Sequence, residues 1–260
     1  MSSLVVVRAL RAEDRVVAAA LAAELGLPLL DEPGPVGGHL ELVLSSTGWG
    51  LQAGGDRRGR PIVVDLVDGD VGRRRREPGR YRSELARAVG VTRDRAPRVI
   101  DATAGLGVDS AVLAWLGCSV VAVEREPVLA VLWHQAMRQL TLRSDAPQLV
   151  FVSGRAEEVL SARRATDGPP DVIYLDPMFP PRSKTALVRK EMQLLQRLSS
   201  HPDDTERDAL FAQAMSCARG RVVVKRPRTA PPLAPGVSFS LEGKTTRFDV
   251  YLTRQAEDSA

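Results

Sequence analysis

The feature that most constrains the fold is a regular alternation of short apolar runs and helix-like segments between residues 98 and 225. Five runs have the length and composition of buried strands: Arg98–Asp101, Ser119–Glu124, Gln148–Val152, Asp171–Leu175 and Arg221–Lys225. Helical periodicity occurs around Ser110–Leu116, Pro127–Leu140, Leu187–Leu198 and Thr205–Ala218. This alternation predicts an α/β fold with a doubly wound, mostly parallel sheet. Ligands of such sheets lie at the carboxyl ends of the strands, so the residues there are the first candidates for a functional site.

The first seventy residues have a different pattern and predict a small α+β unit. Its expected strands are Leu4–Val7, Leu40–Leu44 and Pro61–Leu66, with a helix at Glu13–Leu25. A chain of 260 residues is long enough for one full core and a small second one. We therefore expect an N-terminal domain over residues 1–70, a basic arginine-rich loop with a connecting helix over 71–97, and the main domain over 98–255.

The lengths of the apolar runs indicate where in the cell the protein resides, and the cysteines and histidines argue against disulfides and a metal site. The apolar runs are shorter than the roughly 18 residues that span a bilayer, and the apolar run at the N-terminus is too short for a secretory signal. We therefore expect a cytoplasmic protein. Cys118 and Cys217 have no partner spacing, and the three histidines are scattered. The sequence therefore predicts neither a disulfide framework nor a metal site.

Positive charge is concentrated between residues 71 and 100. This stretch contains ten arginines against three acids, a net charge of +7, whereas the whole chain carries +4. Clustered guanidinium groups suit a phosphate backbone, because they form paired hydrogen bonds and release counterions. A solvated loop without a binding role is the alternative for such a run.

A glycine turn follows the first strand of the main domain, in the sequence R-V-I-D-A-T-A-G-L-G from Arg98 to Gly107. Gly105 and Gly107 allow a ligand to approach the backbone closely, and the helix that follows offers free N–H groups. The dinucleotide pattern G-x-G-x-x-G fails because Ser110 holds the third glycine position. The loop therefore favours S-adenosylmethionine (SAM) over NAD, with Asp101 as the acid before the turn.

An acid ends the next strand, at the position expected for a ribose contact. Glu124 lies nineteen residues after Gly105, and an acid at about this spacing binds the ribose hydroxyls of a nucleoside in related folds. A solvated strand end is the alternative reading of an acid there.

The fourth strand of the main domain ends in V-I-Y-L-D-P-M-F-P, from Val172 to Pro180. D-P-M-F resembles the [DNS]-P-P-[YF] signature of methyltransferases that modify exocyclic amines, with Met178 in place of the second proline. The Asp176 carboxylate and the Pro177 carbonyl would accept the N–H groups of a poorly nucleophilic arylamine, and Phe179 would stack on the base. A simple Asp-Pro turn is the structural alternative.

Seven motifs together resemble the bacterial small-subunit rRNA guanine-N2 methyltransferase J family. They are Asp101–Gly107, Val123–Pro127, Tyr174–Pro180, Lys184–Met192, Val222–Pro227, Ala230–Ala234 and Arg247–Tyr251. The resemblance covers most of residues 73–251 and implies a Rossmann-like class I methyltransferase sheet that uses SAM. It also implies methylation of the exocyclic amine of one guanosine in 16S rRNA, free or within the small ribosomal subunit.

When the family's functional positions are transferred to this chain, the resemblance implies a set of residues that contact SAM, the methyl donor. They are Val108, Asp109, Glu124, Arg125, Arg155, Ala156 and Asp176. The chain departs from the family at two of these points. Val108 stands where an arginine is common and can contribute only its backbone, and Arg155–Ala156 replaces small hydroxyl residues. The proline-rich stretch after Lys225 predicts a loop beside the target base, because prolines disfavour the usual helix.

The basic residues near the strand ends complete the expected substrate surface. A track for the rRNA backbone would comprise Arg73, Arg74, Arg75, Arg76, Lys184, Lys190, Lys225 and Arg226, with the target guanine turned out of its stack. Some of these charges could instead cap helices.

Three rival functions remain compatible with the sequence alone. The first is N-methylation of another amine, such as adenine N6 or a protein glutamine. The second is a non-catalytic RNA-binding or ribosome-assembly factor, against which the intact Asp101, Gly105, Glu124 and Asp176 argue. NAD-linked redox chemistry is disfavoured by the missing third glycine.

Overall fold

The computed structural model describes residues 4–32, 38–56, 60–177, 190–198 and 204–253. Its strands are β1 Leu4–Ala9, β2 Leu29–Leu30, β3 His39–Ser45, β4 Gly48–Ala53, β5 Arg98–Asp101, β6 Ser119–Glu124, β7 Leu149–Ser153, β8 Val172–Leu175, β9 Arg221–Pro227, β10 Phe239–Glu242 and β11 Thr246–Leu252. Its helices are α1 Arg15–Leu25, α2 Gly69–Arg76, α3 Glu84–Val89, α4 Val108–Trp115, α5 Pro127–Thr141, α6 Ala156–Asp167, α7 Lys190–Leu198 and α8 Asp204–Cys217.

The chain divides into two compact units that are not contiguous in sequence. The first comprises the described parts of residues 1–64, 126–136 and 178–201, and the second those of residues 65–125, 137–177 and 202–260. The first break lies near the expected boundary at residue 70. The main domain was expected to be contiguous over residues 98–255. Within that range, the described parts of residues 126–136 and 178–201 belong instead to the first unit.

The first unit contains a sheet of order β2-β1-β3-β4. β1 pairs in parallel with β2 and β3, whereas β3 and β4 form an antiparallel pair. The prediction of a strand at Pro61–Leu66 is wrong, because the described residues there form only an isolated bridge between Ile62 and Leu51. Pro61 has no N–H to donate to a ladder. The alternating burial of Ile62 and Val64 explains why the segment resembles a strand in sequence.

The second unit contains the expected doubly wound sheet. Its described strands have the order β10-β11-β9-β8-β5-β6-β7. The strands from β9 to β7 are parallel, and β11 joins β9 in an antiparallel edge. β8 is buried along its whole length, as expected for a parallel strand covered on both faces. One face packs its apolar side chains against α6 and α8, including Leu160, Ala214 and Cys217.

The arginine-rich segment is a helix and not the expected loop. α2 runs from Gly69 to Arg76, and the four consecutive arginines form its last turn. Arginine is a good helix former, and positive charge in the last turn interacts favourably with the helix dipole. The Arg75 guanidinium lies 4.0 Å from the centre of the Trp115 ring, which fixes this arginine against α4.

The expected loop after β9 agrees with the structure. The proline-rich stretch after β9 has no helix over residues 228–238. Both cysteines are buried and free. Of the helices that the structure describes, none has the length and apolarity to cross a membrane. Within the described ranges, no three side chains of the metal-binding types are grouped to hold an ion.

Candidate active site

The glycine turn after β5 and the acid at the end of β6 are in direct contact. Gly105 and Gly107 have φ angles of 54° and 76°, in the region that favours glycine. The Gly105 N–H donates to the Glu124 carboxylate at 2.9 Å, and the Ala104 N–H donates to the Val123 carbonyl at 3.0 Å. The nineteen-residue spacing therefore corresponds to real proximity, with an acid beside the turn.

Asp101 is a buried acid at the end of β5, directly before this turn. Its side chain is buried, and its carboxylate accepts hydrogen bonds from the Ser110 hydroxyl and from the Thr103 N–H. Burial raises the pKa of Asp101 to about 7, although Ser110 and Thr103 oppose the shift. The Asp101 carboxylate therefore supports the turn from within the protein, and its expected contact with SAM stays a prediction. Ser110, which breaks the dinucleotide pattern, is the partner that this acid requires.

The end of β8 is tied to the same turn through Thr103. The Asp176 N–H donates to the Thr103 hydroxyl at 2.6 Å, and the Ala102 N–H donates to the Tyr174 carbonyl at 3.0 Å. β8 neighbours β5 in the sheet, as the sequence predicts. The tips of β5, β6 and β8 thus form one hydrogen-bonded region, and the Asp176 side chain remains 38% exposed at its edge.

Asp176 belongs to a network of charged groups that sequence reasoning does not anticipate. The Lys225 ammonium lies 2.8 Å from the Asp176 carboxylate and 2.8 Å from that of Asp109. Asp109 also pairs with the Arg74 guanidinium at 2.6 Å and accepts the Tyr174 hydroxyl at 2.7 Å. Two cations therefore balance two carboxylates across α2, α4, β8 and β9.

The protonation states in this network follow from burial and charge. Burial favours a neutral Asp109, but Lys225 and Arg74 outweigh it and hold the pKa of this carboxyl well below its ordinary value. The partial burial of Asp176 raises its pKa, and Lys225 opposes this shift only in part. Lys225 stays protonated, because the two carboxylates raise its pKa despite its burial.

These contacts correct several expectations about ligand and RNA binding. The Asp109 carboxylate already accepts hydrogen bonds from three protein side chains. A contact between Asp109 and SAM would therefore use the backbone of α4. Arg74 and Lys225 bind carboxylates and are only 24% and 26% exposed, so their charges are used mainly within the protein. Arg226 is buried and donates to the Pro231 carbonyl at 3.0 and 2.6 Å, so it is not an RNA contact either.

The remaining predicted residues have varied surroundings. Val108 begins α4, and Arg125 pairs with Glu206 at 3.3 Å. Arg155 precedes α6 with an exposed side chain, whereas Ala156 is buried in the core and can offer only its backbone.

Arg73 and Arg76 are exposed on α2 and pair with Asp70 at 3.3 Å and with Asp68 at 3.8 Å. The described residues begin again at Lys190, whose side chain is not among them. Phe179 and Lys184 lie outside the described residues.

Comparisons with known proteins identify the family. The profile of a SAM-dependent methyltransferase family matches residues 31–253. A ribosomal RNA small subunit methyltransferase J from Nitrosococcus oceani is 45% identical over 240 residues, covering 90% of this chain and 92% of its own. The relative of that name from Pseudomonas aeruginosa strain PAO1 is 42% identical over 254 residues, covering 94% and 93%. This chain belongs to the ribosomal RNA small subunit methyltransferase J family.

A solved structure supports the same assignment at the level of the fold. The crystal structure of a SAM-dependent methyltransferase from Neisseria gonorrhoeae is 29% identical to this chain. It covers 97% of this chain and 98% of its own, with a TM-score of 0.72. The expected α/β class I methyltransferase fold is thereby confirmed.

Membership of the methyltransferase J family establishes SAM as the cofactor, and the site fits this group. A Cβ added at Gly105 would meet no atom within 4 Å, so the turn is open on its ligand side. The Glu124 carboxylate stands beside that opening and suits the hydroxyls of a nucleoside. The exposed Asp176 carboxylate belongs to the same hydrogen-bonded region.

Proposed function

We propose that this chain methylates the exocyclic N2 amine of a guanosine in 16S rRNA. The observation that carries the proposal is the partly exposed Asp176 carboxylate. The Asp176 N–H binds Thr103, in the same turn whose Gly105 N–H binds Glu124. The name shared by the curated relatives supports a small-subunit rRNA substrate. A ribosomal substrate also implies that the protein acts in the cytoplasm.

The chemistry requires a poor nucleophile to be held in a productive orientation. When bound, SAM supplies a methyl group on a positively charged sulfur. Asp176 accepts one N–H of the guanine amine and the Pro177 carbonyl accepts the other, which holds the nitrogen lone pair out of conjugation with the ring. Asp176 can then receive the N–H proton that is lost. Stacking of Phe179 on the base remains part of this proposal.

The RNA surface of the proposal differs from the track that the sequence predicts. Since Arg74, Lys225 and Arg226 are engaged within the protein, the exposed arginines must supply the phosphate contacts. A pocket of about 410 Å³ is lined by Gly79, Arg80, Tyr81, Arg82 and Arg93. The Arg80 guanidinium lies 4.9 Å from the centre of the Tyr81 ring. Guanidinium groups beside an aromatic ring suit a phosphate and an unstacked base, so we place the rRNA contact here, together with Arg73 and Arg76.

Mass mapping of methylated guanosines in 16S rRNA tests the proposal. RNA from cells with and without this protein would be digested and compared. We expect one N2-methylguanosine to be lost in its absence and restored by the wild-type gene. Loss of a methylated adenine or of a methylated protein amide would instead support the rival amine substrates. An unchanged methylation pattern, with defective subunit assembly, would support the non-catalytic assembly factor.

A further inference from the structure

Lys225 lies directly after the buried apolar part of β9, where that strand runs parallel to β8. It follows three buried valines in β9, and Val224 is the register partner of Leu175, the residue before Asp176. The Lys225 ammonium is therefore delivered to the tip of β8. Only 26% of its side chain is exposed, and its two partners are both carboxylates.

We propose that Lys225 is a positioning residue that keeps Asp176 ionised and aimed at the acceptor amine, and that Asp109 and Arg74 fix Lys225 in place. This inference rests on the proposed function, because the role of Asp176 as acceptor of the amine N–H groups is part of it.

The need for a cation follows from the crowding of acids at this sheet edge. Asp176 faces Lys225 of β9, Asp109 of α4, Tyr174 of β8 and Asp101 of β5, with Arg74 of α2 beyond Asp109. Like charges that lie close together favour protonation of one member. Of the two carboxylates that bind Lys225, Asp176 is the more susceptible, because Asp109 also has Arg74. A protonated Asp176 would be a poorer acceptor for an amine N–H, so the cation at Lys225 preserves the acceptor.

The anchor of Lys225 is a second ion pair that is itself largely buried. The Asp109 side chain is only 11% exposed, and it holds Lys225 on the oxygen that also accepts the Tyr174 hydroxyl. Arg74 binds the other oxygen of Asp109. Arg74 thus supplies the second positive charge, which leaves Lys225 available to Asp176. One arginine of the basic helix α2 is in this way connected to the acceptor carboxylate.

A merely structural ion pair and a positioning role predict different pH behaviour. If Lys225 keeps Asp176 ionised, removing its charge raises the pKa of Asp176, so the acid limb of the kcat profile moves to higher pH. Each unit of that shift lowers the ionised fraction about tenfold at pH values below the pKa. If the pair only stabilises the fold, the amount of folded protein falls while the acid limb stays where it is.

The test compares Lys225→Met, Lys225→Arg and the control Lys244→Met, whose lysine is exposed between β10 and β11. We expect Lys225→Met to shift the acid limb upward by about one unit and to lower kcat about tenfold below it. SAM affinity by calorimetry should stay within about threefold. Lys225→Arg should restore the limb, and Lys244→Met should not move it. A lower kcat with an unmoved limb, or full activity of Lys225→Met, would overturn the inference.

A direct titration separates this inference from the proposed function. Protein labelled with carboxyl-¹³C aspartate gives NMR signals that follow each carboxyl group, and the signal of Asp176 is the one lost in Asp176→Asn. We expect that signal to titrate at higher pH in Lys225→Met than in the wild type, whatever the RNA substrate is. An unmoved titration in a folded variant would refute the electrostatic role, whereas a wild type that does not methylate 16S rRNA would refute the function instead.

Discussion

Replacing Tyr174 by phenylalanine removes one hydrogen bond from the charged network and leaves the packing of the ring intact. Tyr174 is almost fully buried, and its hydroxyl donates to the Asp109 carboxylate at 2.7 Å. Asp109 keeps Arg74 and Lys225 in the variant, so it stays ionised and loses only one donor. Hydrogen bonds to charged groups contribute about 1.5–3 kcal/mol. We expect the free energy of unfolding to fall by that amount.

Urea denaturation and thermal melting measure this effect. For a chain of this size, each kcal/mol corresponds to roughly 2–4 °C in Tm, so Tyr174→Phe should melt about 3–12 °C lower. The matched control is Tyr81→Phe, in which the hydroxyl belongs to a partly exposed residue of the arginine pocket. Its expected change is within about 0.5 kcal/mol. Equal losses in the two variants, or no loss in Tyr174→Phe, would refute the assigned network.

Three further predictions concern the turn, the cofactor and the RNA surface. Because burial raises the pKa of Asp101 to about 7 from an ordinary 3.8, the folded state binds a proton more tightly than the unfolded state. The free energy of unfolding should therefore fall as pH rises from about 4 to 7, and Asp101→Asn should weaken this dependence in urea titrations at several pH values; an unchanged slope would contradict it. Glu124→Gln should lower SAM affinity at least about tenfold by calorimetry without changing rRNA affinity, since charged hydrogen bonds are involved; unchanged SAM affinity would remove Glu124 from the cofactor site. The double variant Arg82→Ala and Arg93→Ala should weaken rRNA binding and reduce the slope of log affinity against log salt by about 1 to 2. The control Arg163→Ala breaks an ion pair on α6 and should leave that slope unchanged. Equal slopes in the double variant and the control would mean that the RNA binds elsewhere.

The five parallel strands of the main sheet, β5 to β9, could be predicted from sequence to within one or two residues, because parallel strands buried on both faces are short apolar runs. The antiparallel strands β10 and β11 were not predicted. Other elements could not be predicted either. α6 is polar over most of its length and buries mainly Ala156 and Leu160, so its apolar period is weak. β4 begins G-W-G, and glycine obscures its strand pattern. The run of arginines in α2 carries no helical apolar period, which explains the expectation of a loop.

The candidate site shows a similar division between what local pattern reveals and what it cannot. The positions of Gly105, Glu124 and Asp176 follow from the rule that ligands meet strand ends. Their partners do not, since Arg74 lies 35 residues before Asp109 and Lys225 lies 116 residues after it. Only the folded sheet brings these groups together. Local sequence therefore places Arg74 and Lys225 among the RNA-binding candidates, whereas in the folded protein both bind carboxylates.

The most direct test of the central claim is methyl transfer to 16S rRNA by Asp176→Ala, measured with labelled SAM beside the affinity of the same protein for SAM. We predict that transfer is abolished while SAM affinity stays within about tenfold of the wild type, because Asp176 mainly holds the acceptor. Retained transfer, or a loss explained wholly by failure to bind SAM, would contradict it.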